Sequence, residues 1–333
     1  MATMDDIAKR LGITKGTVSK ALSGAGDVSE TMRTAVLETA VELGYSRINR
    51  INQRPKICVF IANMAYDKPE DFGWEIITGF RKMAEPEGYS VSFVPLTNAM
   101  QRSYGYDTYM MQHNYKGGFF LGTTLSDPWI LDFAACRTPT VLFDNAAQYN
   151  PVVSTVSIDN DEGMEMAISY LREMGHTIIG YLSGGIGSYV FQQRYMAFFR
   201  ALRKHGLSDN RALAGHPYQI SECLDVHLPR LLKMGCTAII CSHDLLAHTI
   251  MIHCAENHIR IPQDLSIIGI DDLPICRYTQ PTLTSIRQDR TELGKSAYYA
   301  LSSQIHQVHI NTLKLHPELI VRNSIGPVPQ KKE

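Results

Sequence analysis

Residues that could bind a sugar recur directly after short apolar runs of this sequence. Carboxylates and arginine hydrogen-bond well to paired hydroxyls, and aromatic faces stack on the apolar side of a pyranose ring. The residues that we predict to contact a small-molecule effector in this way are Phe72, Trp74, Asp144, Tyr189, Arg194, His243, Asp244 and Asp271. For a single carboxylate a helix N-cap is as good an interpretation, and both Asp161 and Asp244 fit that role. Residues of this kind follow five different apolar runs that we predict to be strands, and this agreement nevertheless favours a binding site.

The elements that must position these residues alternate between strands and helices. Apolar runs typical of buried parallel strands form two successive series, at 57–62, 90–95, 118–122 and 140–143, then at 177–182, 238–241 and 266–270. Helical patterns separate them, for example at 161–174, 189–205 and 244–257. Such alternation predicts two doubly wound parallel α/β lobes, in which ligands bind at the carboxyl ends of the strands.

Patterns that would indicate an enzyme or a metal site are incomplete. The glycines at 184, 185 and 187 suggest a dinucleotide-binding loop, but Val190 occupies the position of the third glycine of that motif. Cys241, His243 and Asp244 lie too close along the chain to face one another as a catalytic triad. Histidines repeat every five residues from His243 to His258, which is not the spacing of a helical metal-ligand pair. We therefore predict no catalytic residues, no metal and no cofactor.

Composition places the protein among globular proteins of two or three domains. The chain has 333 residues, of which 44% are hydrophobic and 20% charged, and it contains no apolar run long enough for a membrane span. Its N-terminus does not resemble a secretory signal, and its seven cysteines are scattered through apolar stretches, as is typical of reduced thiols. These observations favour a cytoplasmic protein without a membrane partner.

The first 45 residues predict three short helices. Thr3 with Asp6, Thr14, and Ser29 are suitable N-caps, and Gly12 can end the first helix. Two helices joined by a tight turn and braced by a third form a helix-turn-helix unit. Residues 1–56 carry nine Lys/Arg against six Asp/Glu, whereas the whole chain has a net charge of −1, and a basic module of this kind suits DNA. A three-helix bundle for protein contacts remains the alternative.

Residues 4–8, 12–24 and 43–45 closely resemble the headpiece of the LacI family of bacterial repressors, including the Thr17-Val18-Ser19 stretch of the recognition helix. Further landmarks at 159–160, 171–176, 193–194, 268–272 and 281–288 extend the resemblance over nearly the whole chain. The resemblance implies that Lys15 and Gly16 occupy the main specificity positions and Lys20 a third. It also implies effector contacts at Asp144, Arg194 and Asp271, with Phe72 stacking. The residues that we predict to contact DNA are Thr14, Lys15, Gly16, Thr17, Ser19, Lys20, Arg47, Asn49, Arg50 and Arg54.

The sequence departs from the family at two places. Between 45 and 55 the usual proline is missing and the family's leucine falls on Arg54, so Ile48 or Ile51 could insert into the minor groove, or the segment could be a basic tether. His243 replaces the asparagine that usually precedes Asp244, and an imidazole can titrate near neutral pH.

The predicted domains are a headpiece at 1–45, a hinge at 46–56 and a core at 57–333. Within the core we expect an N-lobe at about 57–157 and 288–315, and a C-lobe at about 158–287 and 316–333. By the resemblance, a helix at 290–307 joins the N-lobe and a last strand at 319–321 the C-lobe.

We therefore predict a homodimeric, sequence-specific repressor that binds a near-palindromic operator in double-stranded DNA and is controlled by a small molecule, with a carbohydrate favoured. The alternatives are a purine- or sugar-phosphate-responsive regulator, a solute-binding protein, and an enzyme such as a sugar isomerase or kinase.

Overall fold

A computed structural model describes residues 2–45 and 54–328. The chain divides into two compact units. The first contains Met1–Met64, Ile77–Thr155 and Gly294–Leu313, and the second contains Ala65–Ile76, Val156–Leu293 and Lys314–Glu333.

Three helices at the start of the first unit form the headpiece: α1 (Met4–Leu11), α2 (Lys15–Ser23) and α3 (Glu30–Glu42). The predicted caps are confirmed, because the side chains of Thr3, Thr14 and Ser29 each accept a hydrogen bond from a backbone N–H of the following helix. Gly12 ends α1 at φ 68°, a left-handed conformation that glycine adopts without strain. Apolar residues of all three helices form one small core, which positions α2.

A six-stranded sheet forms the centre of the first unit, in the order β11-β5-β4-β3-β1-β2. Its strands are β1 (Lys56–Ile61), β2 (Ser90–Pro95), β3 (Tyr115–Leu121), β4 (Thr140–Phe143), β5 (Val153–Ile158) and β11 (Thr312–Leu315). The helices that accompany it are α4 (Phe72–Ala84), α5 (Asn98–Ser103), α6 (Tyr106–His113), α7 (Pro128–Asp132) and α13 (Arg290–Ile305). β1 pairs in parallel with β2 and β3, and β3 with β4, so the carboxyl ends of these four strands meet at one edge.

A second six-stranded sheet forms the centre of the second unit, in the order β12-β10-β9-β8-β6-β7. Its strands are β6 (Ile179–Leu182), β7 (Ala214–Gly215), β8 (Ala238–Cys241), β9 (Ser266–Asp271), β10 (Thr284–Arg287) and β12 (Glu318–Ile320). Its helices are α8 (Asn160–Glu173), α9 (Tyr189–Lys204), α10 (Ile220–Glu222), α11 (Leu228–Lys233) and α12 (Asp244–Glu256). In this sheet β7, β6, β8, β9 and β10 pair in parallel with their neighbours, and β12 pairs antiparallel with β10.

The predicted fold class, a helical headpiece followed by α/β lobes with largely parallel sheets, is confirmed. The alternative interpretation of Asp161 and Asp244 as helix N-caps is wrong. Asp159 caps α8, and His243 caps α12. The division into units also differs from the predicted lobes, chiefly because residues 65–76 group with the second unit.

Candidate DNA interface and effector site

Helix α2 presents the predicted base-reading residues to solvent. The side chains of Lys15 and Lys20 are 62% and 58% exposed, and Gly16 and Ser19 are also exposed. Each lysine forms an ion pair within the headpiece, Lys15 with Asp5 at 2.7 Å and Lys20 with Asp27 at 2.5 Å. Exposed ion pairs of this kind contribute little stability. Each lysine can therefore leave its carboxylate and bind a DNA base or phosphate at little cost in free energy.

Thr14 and Thr17 have a structural task in addition to their predicted role on DNA. The Thr14 hydroxyl accepts a hydrogen bond from the Thr17 backbone N–H at 3.1 Å and lies 2.9 Å from the Thr17 hydroxyl. A hydroxyl has one donor and two acceptor positions, so both side chains retain capacity for a phosphate. The cap fixes the start of α2, where the backbone N–H groups favour an anion.

Most of the predicted hinge contacts lie outside the described residues, namely Arg47, Asn49 and Arg50, as do Ile48 and Ile51. Arg54 is described, and it is exposed two residues before β1 begins at Lys56. Its contact with DNA stays a prediction.

In the second unit, Arg194 on α9 is the centre of a buried polar cluster. The residue is only 3% exposed, and its Nη1 donates to the Ser242 carbonyl at 2.5 Å. Its Nε donates to Asn160 Oδ1 at 3.2 Å, and its Nη2 lies 3.5 Å from Asp271 Oδ1. The guanidinium therefore joins α8, the end of β8 and the end of β9 in one cluster.

Asp271 holds the other side of this cluster from the last position of β9. Its Oδ1 accepts from Gln288 Nε2 at 2.5 Å, and its backbone carbonyl accepts from Arg290 Nη1 at 2.9 Å. Asp271 adopts a φ of 114°, which residues other than glycine rarely adopt, and Asp272 has a φ of 50°, in the left-handed region that aspartate tolerates better than most residues. Such backbone strain persists where surrounding contacts enforce it, and it is concentrated at functional sites.

His243 enters the cluster as a neutral imidazole. Its Nδ1 accepts from the Leu246 backbone N–H at 3.1 Å, so Nε2 carries the ring proton. Burial, helped by the positive Arg194 and opposed by Asp271, lowers the pKa of His243 below its usual range. Its ring stacks on Phe191 with centroids 5.7 Å apart. We therefore expect the His243 imidazole to be a neutral hydrogen-bond donor at neutral pH rather than to titrate there.

Asp244 is completely buried and is bonded to protein groups at both oxygens. Ser285 Oγ donates to Oδ1 at 2.6 Å, and the Leu273 backbone N–H donates to Oδ2 at 2.7 Å. Burial, together with the nearby Asp271, raises the pKa of Asp244 to about 7. These contacts favour a role in bracing β9 against β10 and α12. Direct contact of Asp244 with an effector stays a prediction.

Of the three aromatic residues that we predict to contact an effector, Phe72 is linked to the cluster of Arg194 and Asp271. The Arg290 guanidinium lies over the ring of Phe72 at 5.7 Å from its centroid, and Arg290 Nη2 pairs with Glu75 at 2.6 Å. Phe72 is thereby linked through Arg290 to the Asp271 carbonyl. Trp74 and Tyr189 are half-buried at the starts of α4 and α9, and no described contact joins their rings to Arg194 or Asp271.

Asp144 belongs to the first unit, where it follows β4 and adopts φ 48°. It is half-buried, whereas its neighbour Asn145 is 1% exposed and donates to Thr123 Oγ1 and the Thr123 carbonyl at 2.9 and 3.1 Å. Asn145 thus shapes the strand end that carries Asp144.

Sequence reasoning missed four residues that complete the cluster of the second unit: Glu75, Asn160, Gln288 and Arg290. The rule that identifies strand ends points to three of them, because Asn160 follows β5 and both Gln288 and Arg290 follow β10. Neither β5 nor β10 is a continuous apolar run, so the sequence pattern does not reveal these two strands. Glu75 carries no comparable signal, since its partner Arg290 lies far away in sequence.

Within the described parts of the chain, no group of three or more His, Cys, Asp or Glu side chains could hold a metal ion. In the same residues, no helix is long and apolar enough to span a membrane.

Both parts of the chain match known families. Residues 3–47 match the family described as "Bacterial regulatory proteins, lacI family", and residues 168–325 match "Periplasmic binding protein-like domain". The chain is 28% identical over 345 residues to the HTH-type transcriptional repressor CytR of Escherichia coli (strain K12), covering 98% of this chain and 97% of the relative. It is 27% identical over 339 residues to the HTH-type transcriptional repressor PurR of Pectobacterium atrosepticum, covering 99% and 98%.

Solved structures share the fold. The transcriptional regulator CelR in complex with cellobiose superposes with a TM-score of 0.70 at 23% identity, covering 97% of this chain and 100% of that one. The lac repressor dimer bound to operator and the anti-inducer ONPF gives a TM-score of 0.65 at 20% identity, covering 98% and 99%.

A helix-turn-helix headpiece on a periplasmic-binding-protein-like core defines a DNA-binding regulator that responds to a small molecule. The chain combines a LacI-family helix-turn-helix domain with a periplasmic-binding-protein-like domain, and its relatives CytR and PurR are transcriptional repressors.

Proposed function

We propose that this protein is a cytoplasmic, homodimeric repressor that is not an enzyme and whose operator affinity is set by a neutral carbohydrate. The observation that carries the proposal is the cluster of Arg194, Asp271 and Gln288, which places buried hydrogen-bonding groups at the carboxyl ends of β8 and β9. Asp144, Trp74, Tyr189 and His243 are proposed as further effector contacts. An effector acts by binding one conformation of the core more tightly than another.

Charge compensation in this cluster favours a neutral ligand over a sugar phosphate. Arg194 lies beside Asp271, and Arg290 is paired with Glu75, so each guanidinium already has a carboxylate. A phosphate would have to displace one of these carboxylates, leaving a buried negative charge without its partner. The hydroxyls of a neutral sugar can instead donate to the Asp271 carboxylate and accept from the His243 Nε2–H, and they add no charge to the cluster.

The DNA part of the proposal is tested by footprinting the full-length protein on the promoter of its own gene. A dimer that places two α2 helices in successive major grooves should protect two half-sites about 10 base pairs apart, related by approximate two-fold symmetry. Absence of a protected inverted repeat with and without each candidate ligand would contradict the proposal.

The effector part is tested by thermal shift and calorimetry with three groups of ligands: neutral mono- and disaccharides, sugar phosphates, and nucleosides or purines. We expect a neutral sugar to bind, and Asp271→Asn to weaken its binding about tenfold or more, because a charged hydrogen bond in a buried site is lost. Asp161→Asn is the matched control, since Asp161 pairs with Arg200 on the exposed surface of the same unit. Binding only by a sugar phosphate or a purine would overturn the assignment.

A further inference from the structure

The first unit contains a direct contact between the headpiece and the sheet-containing part of the chain. Arg137, in the turn before β4, donates from Nη1 to the Val41 carbonyl at 2.8 Å and from Nη2 to the Glu42 carbonyl at 3.3 Å. Both carbonyls lie in the last turn of α3. Arg137 therefore reaches out of the α/β part of the unit to the carboxyl end of a headpiece helix.

The end of α3 is a favourable place for a cation, although the Val41 carbonyl also accepts from the Gly44 backbone N–H at 3.0 Å. The last turn of α3 carries no basic residue, whereas the last turns of α1 and α2 carry Lys9, Arg10 and Lys20. The last carbonyls of a helix have no partner within the helix and form the negative end of its dipole, so a cation placed there is stabilising. The fit around Arg137 is also close, because a Cβ on Gly44 would lie 2.7 Å from Nη1.

The other end of Arg137 is held by the α/β part. Asp107 on α6 accepts from the Arg137 backbone N–H at 2.8 Å and from the Thr138 backbone N–H at 3.0 Å. The Thr138 hydroxyl donates to the same carboxylate at 2.6 Å. Met111, on the same helix, packs against the headpiece core. Arg137 thus extends from a turn that α6 fixes, and α6 itself contacts the headpiece.

The docked headpiece still presents its reading surface, since Lys15, Gly16 and Ser19 are exposed.

We propose that Arg137 is a positioning residue that fixes the headpiece on the α/β part of the first unit. The effect on operator affinity rests on the proposed function, whereas the docking itself does not. Without Arg137, the headpiece samples orientations that cannot engage both half-sites, so apparent operator affinity falls with the competent fraction.

The docking is tested by time-resolved fluorescence anisotropy of the full-length protein with a single dye on Lys9→Cys. All seven native cysteines are buried, which directs the dye to this exposed position on α1. We expect the dye to report tumbling of the whole protein in the wild type, and Arg137→Ala to add a fast component from an independent headpiece. Lys116→Ala is the matched control, because Lys116 is a cation that lines the same cavity of about 270 Å³ between headpiece and core. Arg137→Lys should restore slow tumbling in part, since an ammonium can still reach a carbonyl.

Operator affinity is then measured on a fragment of the protein's own promoter, and Arg137→Ala should lower it about five- to tenfold. Identical anisotropy decays of wild type and Arg137→Ala, or an equal effect of Lys116→Ala, would overturn the docking. A fast component without loss of operator affinity would overturn the positioning role. Failure of the wild type to bind DNA would contradict the proposed function, yet it would leave the anisotropy result intact.

Discussion

At the scale of single residues, Gly16 distinguishes the reading surface of this protein. It occupies an exposed position on α2, where a side chain would project from the helix. A Cβ built at Gly16 meets only Thr14 Oγ1, at 3.6 Å, which is an ordinary contact. Neither backbone conformation nor packing therefore requires glycine here. Gly12 differs, because its φ of 68° disfavours any side chain although the space around it is open.

The first prediction follows from this contrast. Gly16→Ala should stabilise the headpiece by about 0.5 kcal/mol because alanine restricts the unfolded chain and favours helix. It should also change the preferred base pair at the facing operator position, since a methyl group enters the major groove. Chemical denaturation and selection from randomised half-sites measure the two effects. Gly12→Ala is the control and should destabilise; an equal loss of stability for both variants would contradict the argument.

The second prediction concerns Asp244, whose pKa is raised to about 7 in the folded protein by burial and Asp271. The unfolded chain ionises this carboxyl near pH 4, so between about pH 4 and 7 the folded state binds more protons than the unfolded state. This group's contribution to stability is therefore complete below pH 4 and is lost as the pH rises to about 7.

Asp244→Asn removes this titration and keeps a neutral group that can face Ser285 and Leu273. We expect the free energy of unfolding of the wild type to fall relative to that of the variant as the pH rises from 4 to 7. Denaturant titrations at several pH values measure the difference. Parallel pH profiles for the two proteins would show that Asp244 is ionised in the folded state throughout.

At the scale of elements, the accuracy of the sequence prediction depended on burial and on local hydrogen bonds. The headpiece helices were predicted because Thr3, Thr14 and Ser29 form caps whose partners lie three residues away. β2, β4 and β8 were predicted with their observed bounds; β4 and β8 are buried along their whole length and appear as continuous apolar runs.

The strands that were missed lack such a run. β11 alternates exposed and half-buried residues, and β7 is only two residues long. The sequence predicts only some residues of the effector cluster, because only some of them follow strands that appear as apolar runs. Arg194 and Asp271 follow recognised strands, whereas the pairing of Arg290 with Glu75 depends on tertiary structure that no local pattern encodes.

The third prediction tests the bracing of β9. A Cβ on Gly269 would lie 2.1 Å from Asp244 Oδ1 and 3.1 Å from a Leu283 methyl. Gly269→Ala should therefore destabilise the protein by about 2–4 kcal/mol, because neither a completely buried carboxylate nor a packed leucine can move away freely. Thermal and chemical denaturation measure the loss. Gly187→Ala serves as the control, since no atom lies within 4 Å of its Cβ position, and it should change stability by less than about 0.5 kcal/mol. Equal stability of the two variants would disprove the brace.

At the scale of the whole molecule, the proposed homodimer needs an interface between two copies of the chain. α12 carries two exposed apolar side chains, Leu245 at 54% and Ile252 at 47%, seven residues apart and hence on the same face of the helix. Exposed apolar residues that share one face are typical of surfaces that contact a partner. The rest of α12 packs into the second unit through buried residues such as Ile250 and Cys254. The outer face can therefore be changed without disturbing the core beneath it.

The fourth prediction is that this face contributes to the dimer. Leu245→Glu combined with Ile252→Glu should shift the protein towards monomer, because carboxylates would be buried against a second apolar surface. Sedimentation equilibrium measures the dissociation constant, which we expect to rise at least about 100-fold, since burying two unpaired charges costs several kcal/mol. Leu131→Glu is the control: Leu131 is 74% exposed on α7 of the first unit, and its substitution should leave the dimer intact. If the double variant remains dimeric at the same concentration as the wild type, the interface lies elsewhere. If it becomes monomeric and still protects both half-sites with unchanged affinity, dimerisation is not what pairs the two recognition helices.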